Sequence, residues 1–251
     1  AESEEQQQQA KKDTDGKDYS ANLPKAGPDP KFNLPRIEKS KLSNGLDVWL
    51  VRQSELPIVS MNLVLRTGGT ADPQDRAGLA LMTSGLLNAG TKTRSAVDIA
   101  NELQAIGANV NAGSSWDSAT VSMQTLTRNL DKALDIYSDV VVNPAFPANE
   151  LENMRRRALV GFLQRKDNPN AIANIVYDQL LYGKNHPYGK SLGGDENSIK
   201  AITRAEIEKF YAVNYRPNNA ALIVVGDTDM KTLTPKLEKA FAGWKSGEVP
   251  Q

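Results

Sequence analysis

The sequence predicts an α+β fold, a mostly antiparallel sheet covered by helices mainly on one face. Three observations carry that expectation. Period-two apolar stretches come in groups, 46–52 with 57–66 and 108–112 with 118–126, instead of alternating one by one with helices. Stretches with a single apolar stripe at helical spacing, 95–106, 130–141 and 149–166, follow those groups. One continuous apolar run, 221–225, reads as a central strand.

Taken in order, residues 1–34 are rich in Glu, Gln, Lys, Asp and Pro and bury too little apolar surface to offset their ordering entropy. They are expected to be a disordered polar tail and linker, with the folded domain at 35–251. Asn44-Gly45 signals a turn before the first strand, where Leu46, Val48 and Leu50 share a face. Strands 46–52 and 57–66 are expected to pair antiparallel. Residues 77–88 form a mostly apolar helix, expected to be buried on several sides. Ser95 and Asp98 cap the helix that carries Ile99, Leu103 and Ile106, and Gly107 stops it. The second strand group places Val121, Met123 and Thr125 on one side. Helices 130–141, 149–166 and 171–181 follow. Arg155, Arg156 and Arg157 read as a solvated face, balanced by Glu150 and Glu152. Residues 182–198 form a loop with four glycines. Thr203 and Glu206 have capping-box spacing ahead of helix 203–213. Helix 231–241 closes the order, and 244–251 reads as the start of a linker.

Composition narrows the function. The 251 residues carry 30 Lys plus Arg and 30 Asp plus Glu, so the formal net charge is zero. Nucleic-acid and anionic-membrane binders show a basic excess, so no such partner is expected. No apolar run approaches the ~18 residues of a membrane span. With no Cys, disulfides and thiolate metal sites are excluded. His186 is the one histidine, whereas most catalytic metal sites use several. A nucleophilic triad would depend on that single imidazole, and no G-x-S-x-G elbow or phosphate loop occurs. His186 reads as a loop residue bonded to backbone. On the residues alone there is no active site.

A chain of landmarks nevertheless resembles one family. They are Leu42-Ser43-Asn44-Gly45-Leu46, Gly68-Gly69-Thr70-Ala71-Asp72, Ala77-Gly78-Leu79-Ala80 and Gly90-Thr91. Asn111-Ala112, Asp167-Asn168-Pro169, His186-Pro187-Tyr188-Gly189 and Tyr215-Arg216-Pro217-Asn218-Asn219 come next. Each is weak alone, but their order and spacing resemble the insulinase/pitrilysin-type (M16) zinc peptidases and their mitochondrial processing-peptidase relatives.

The resemblance implies an M16 metallopeptidase-like (LuxS/MPP-like) domain. Active members carry H-x-x-E-H on this helix: two His bind zinc, and the Glu is the general base. Counting back from Gly90-Thr91 puts the first His at Leu81, the base at Ser84 and the second His at Gly85. The later Glu falls near Gly161, within a turn. None of these can ligate zinc or act as a carboxylate base, so no zinc is expected and all three helix positions read as core packing. The resemblance also implies a peptide-binding edge at Ala108, Asn109, Val110, Asn111, Ala112, Gly113 and Ser114. The expected role is a non-catalytic subunit, or the N-terminal half of a longer two-domain protein. Its partner would be an active H-x-x-E-H M16 subunit or a second M16-like domain, enclosing unfolded peptide. The alternative is a structural or assembly protein that keeps the fold as an interaction surface. The polar tether and lack of Cys lean to a bacterial periplasm or cell envelope.

Overall fold

A computed structural model describes residues 27 and 34–250. The expectation of a disordered tail at 1–34 therefore lies outside the described residues, apart from Gly27 and Leu34. Six strands make one sheet: β1 (Ile37–Lys41), β2 (Asp47–Arg52), β3 (Ile58–Leu65), β4 (Asn109–Ser114), β5 (Ala119–Leu126) and β6 (Ala220–Gly226). Their order is β1-β2-β6-β3-β5-β4, with only β2 and β6 parallel.

The expected pairing of β2 with β3 is wrong. β6 lies between them, Val48 opposite Leu222 on one side and Leu63 opposite Leu222 on the other. Its Ala-Ala-Leu-Ile-Val-Val run suits the middle of a sheet, so it displaces the sequence-adjacent pairing. The Asn44-Gly45 turn instead joins β2 to β1, an edge strand missed at the sequence level.

Side chains alternate across the sheet as the pleat requires. Val48 and Leu50, Met61 and Leu63, Val121 and Met123, and Leu222 and Val224 are all buried on one face. Their neighbours on the other face are only partly covered.

Eight helices are present among the described residues: α1 (Leu79–Gly85), α2 (Ala96–Ala105), α3 (Leu130–Val142), α4 (Ala148–Arg165), α5 (Pro169–Tyr182), α6 (Glu196–Ala201), α7 (Arg204–Asn214) and α8 (Met230–Ala240). Ser95 with Asp98 and Thr203 with Glu206 form the expected capping boxes of α2 and α7. α6 interrupts the predicted 182–198 loop, and Asp195 and Ser198 cap it reciprocally. Its last carbonyls explain a further departure. Arg155 is not part of a solvated arginine face, because its side chain is only 14% exposed. It donates to the carbonyls of Ile199 and of Ile202, the latter at 2.7 Å, while Arg156 and Arg157 stay exposed. The stretch read as a linker start also packs: Trp244 is buried, and its Nε1–H donates to the Tyr215 carbonyl at 2.9 Å.

Candidate functional site

α1 is shorter than the predicted 77–88 helix, because a separate short turn follows at Leu87–Ala89. Its start is set by Gly78, whose φ of 96° is costly for any other residue. The free N–H groups there are satisfied from a distance. Asp72 accepts from Gly78 N–H at 2.8 Å and from Ala80 N–H at 2.7 Å. Burial pushes the Asp72 carboxyl up to about 6, against the lowering effect of those backbone bonds. The 68–72 loop is itself docked on the turn between β4 and β5: Gly69 N–H donates to the Ser115 carbonyl and Thr70 N–H to that of Trp116.

The three positions on α1 do not all pack in the core, as the sequence reading had it. Ser84 is fully buried, but Leu81 is 36% exposed and Gly85 is exposed. Leu81 and Gly85 lie four residues apart and so share one face of the helix. That face is covered only in part by its neighbours. A Cβ added at Gly85 would lie 2.8 Å from Cε of Met154 on α4, so the methionine fills the space a side chain would need. Gly193 approaches Leu81 Cδ2. The Ser84 hydroxyl donates back to the Leu81 carbonyl at 3.0 Å. Gly161 lies two helical turns beyond Met154 on α4, and a Cβ there would meet nothing within 4 Å. This set does not fit zinc: an apolar chain, a hydroxyl turned onto its own helix, and two glycines, one of them overlain by a thioether. Among the described residues no group of three or more His, Cys, Asp or Glu lies close enough to hold a metal ion.

His186 sits elsewhere. Its Nδ1 accepts from Tyr188 N–H at 3.2 Å, and its ring stacks on Tyr182 at 5.6 Å. The Tyr188 hydroxyl donates to Asp117 at 2.7 Å, a bond that raises the phenol's pKa.

β4 ends the sheet beside α1, so its outer edge has no strand partner among the described residues. Ser115 N–H bonds the Ser118 carbonyl, which turns the odd-numbered residues of β4 towards β5. The N–H and C=O groups of Val110, Ala112 and Ser114 therefore point outward. Asn88, just after α1, donates its Nδ2–H to the Val110 carbonyl at 2.9 Å, and its own Oδ1 is buried without a partner. Of the predicted edge residues, Ala108 precedes the strand and gives its N–H to the Leu103 carbonyl of α2. The open groups are concentrated at Ala112 and Ser114. No sequence signal marked Asn88, Met154 or Asp72 as parts of this arrangement, because each acts through a contact set by the fold.

The model of the family described as insulinase (peptidase family M16) matches residues 48–192, more than half of the sequence. The chain belongs to the M16 peptidase family. A second model, the peptidase M16 inactive domain, matches residues 201–251. Similar proteins include an uncharacterized zinc protease of Rickettsia bellii, 29% identical over 83% of this chain and 50% of the relative. The mitochondrial-processing peptidase subunit beta of Saccharomyces cerevisiae is 25% identical over 86% of this chain and 47% of that one. A solved peptidase M16 inactive domain from Pseudomonas fluorescens superposes with a TM-score of 0.82 at 29% identity, over 86% of this chain and 52% of that structure. The chain thus spans about half the length of the curated relatives it matches. The α+β fold read from the sequence is the fold of this family.

Proposed function

We propose that this M16 domain is non-catalytic, holds no zinc, and works beside an active H-x-x-E-H M16 subunit or domain, helping to enclose and bind unfolded peptide. One contrast supports the reading: the positions that counting from Gly90-Thr91 gives to the zinc motif hold Leu81, Ser84 and Gly85, with Met154 lying over Gly85, while the β4 edge next to them stays open. An extended peptide would add a strand there, pairing with Ala112 and Ser114. Asn88 would limit that pairing at Val110. A periplasmic or envelope location belongs to this reading, supported by the polar tether and the absence of Cys.

Elemental analysis of the purified chain should find no stoichiometric zinc. A fluorescein-labelled unfolded peptide should raise its anisotropy on binding, and Ala112→Pro, which removes an outward N–H, should abolish the rise. One zinc per chain would overturn the non-catalytic reading. Absence of peptide binding, together with no M16 partner in a pull-down, would sink the chamber role. The exposed apolar surface of α5 favours a second reading, an assembly protein that keeps the fold for contact alone. That reading expects a partner and no peptide affinity.

A further inference from the structure

α5 is the most exposed apolar element of the domain. None of its fourteen residues is buried. Ile172 is 47% exposed, Val176 46%, Tyr177 64%, Leu180 82% and Leu181 58%. On the adjoining α4, Val160 and Leu163 are 49% and 60% exposed. Isolated apolar residues on a surface need no explanation, but a continuous row on one helix does. Six or seven such side chains amount to a few hundred Å², roughly the apolar centre of an interface burying ~800 Å² per partner.

We propose that the outward face of α5, with Val160 and Leu163 of α4, is the docking surface for a second, non-identical M16-type domain. The inference rests on the partner role proposed above and adds where the partner sits. Three observations select this occupant. First, the chain spans about half of the relatives it matches, so those proteins contain a further body of similar length beside the matching half. Second, α5 is continuous with the degenerate site. It packs on α4, which carries Gly161 and the Met154 that covers Gly85. A domain seated on α5 therefore adjoins the helix that lies over Gly85 of α1. Third, the surface does not suit an extended peptide. A helix interior uses its backbone groups internally, so it offers side-chain packing and no strand pairing. Packing against a preformed apolar face is what such a surface can do. The zero net charge of the chain also gives no attraction to an anionic membrane.

The test is site-specific photo-crosslinking in the native cell, with p-benzoylphenylalanine placed in turn at Tyr177, Leu180 and, as a control, Val97 on α2, which is 66% exposed. Adducts are sequenced by mass spectrometry. The expected result is adducts from positions 177 and 180 to an M16-type sequence other than residues 34–250, and none from 97. With the probe at Val176, Leu180→Glu should cut the adduct yield at least tenfold while leaving the melting temperature of the domain unchanged. Adducts from α5 to a second copy of this chain, shown by mixed isotope labelling, would overturn the proposal. So would adducts scattered over unrelated sequences, or none. An M16-type adduct from Val97 alone would sink the α5 surface yet leave the partner role standing.

Discussion

α3 and α5 are of nearly equal length and both rich in apolar residues, yet they end up in opposite environments. α3 buries nine of its thirteen residues against the sheet, whereas α5 buries none of fourteen. The anchor of α3 is Tyr137. It is fully buried, its hydroxyl donates to the Val121 carbonyl at 2.7 Å, and its ring meets Phe241 edge-on at 6.2 Å. Burial raises the Tyr137 phenol's pKa. α5 has no comparable tie to the sheet. Apolar content thus shows that a helix must be covered, without showing by what. For α3 the cover is this domain; for α5 it is the second domain proposed above.

The largest expected effect breaks the comparison if it fails. Tyr137→Ala removes a buried ring and leaves the Val121 carbonyl without its donor, and should cost about 3–5 kcal/mol in urea unfolding. Leu180→Ala should stay within ~0.5 kcal/mol, because little of its surface leaves water on folding. A large loss at Leu180 would mean that α5 is held by this domain after all.

How much of this the sequence could show follows the same division. Period and caps are local, so α2, α7 and the alternation of β5 were readable from spacing and from pairs such as Ser95 with Asp98. The neighbour of β2 was not, because parallel pairing with β6 joins residues more than 170 positions apart. Placing the zinc-motif positions at Leu81, Ser84 and Gly85 rests on counting from Gly90-Thr91. The environment of those positions was not legible. Leu81 and Gly85 stay exposed on a face that Met154, some seventy residues on, covers only in part, and nothing in the local pattern encodes that contact. Arg155 looked like its neighbours until α6, itself hidden in a glycine-rich loop, supplied carbonyls for it.

α1 lies between the two extremes, with one buried side and one covered only by Met154. Its residues should therefore respond unequally. Ser84→Glu forces a larger, charged group into a fully buried position and should cost about 2–4 kcal/mol. Gly85→Ala should be near neutral or gain up to ~1 kcal/mol, because the Met154 methyl can swing aside and the helix loses a glycine. Equal costs at the two positions would show that the Gly85 side is packed as firmly as the core. Installing the whole motif would then fail for a reason other than the buried Ser84.

The last effect concerns the anchoring of α1 and is read from its pH dependence. Asp72 titrates at about 6 in the folded chain, against an ordinary carboxyl value of 3.8. Between those values the folded state holds more protons than the unfolded one, so this group's contribution to stability is full below about pH 4 and falls as pH rises through 6. The lowered carboxyls Asp98, Asp139 and Glu206 act with the opposite sign, losing their contribution as pH falls, and they do so in wild type and variant alike. Asp72→Asn cannot ionise and keeps one acceptor for the Gly78 and Ala80 N–H groups. Its cost, from urea unfolding at pH 4 and pH 7, should therefore be larger at pH 4 and shrink by on the order of 1–2 kcal/mol towards pH 7. A cost that grows with pH would mean that the ionised carboxylate is favoured at the start of α1. The two backbone bonds would then outweigh burial there, and α1 would be tied as firmly as α3.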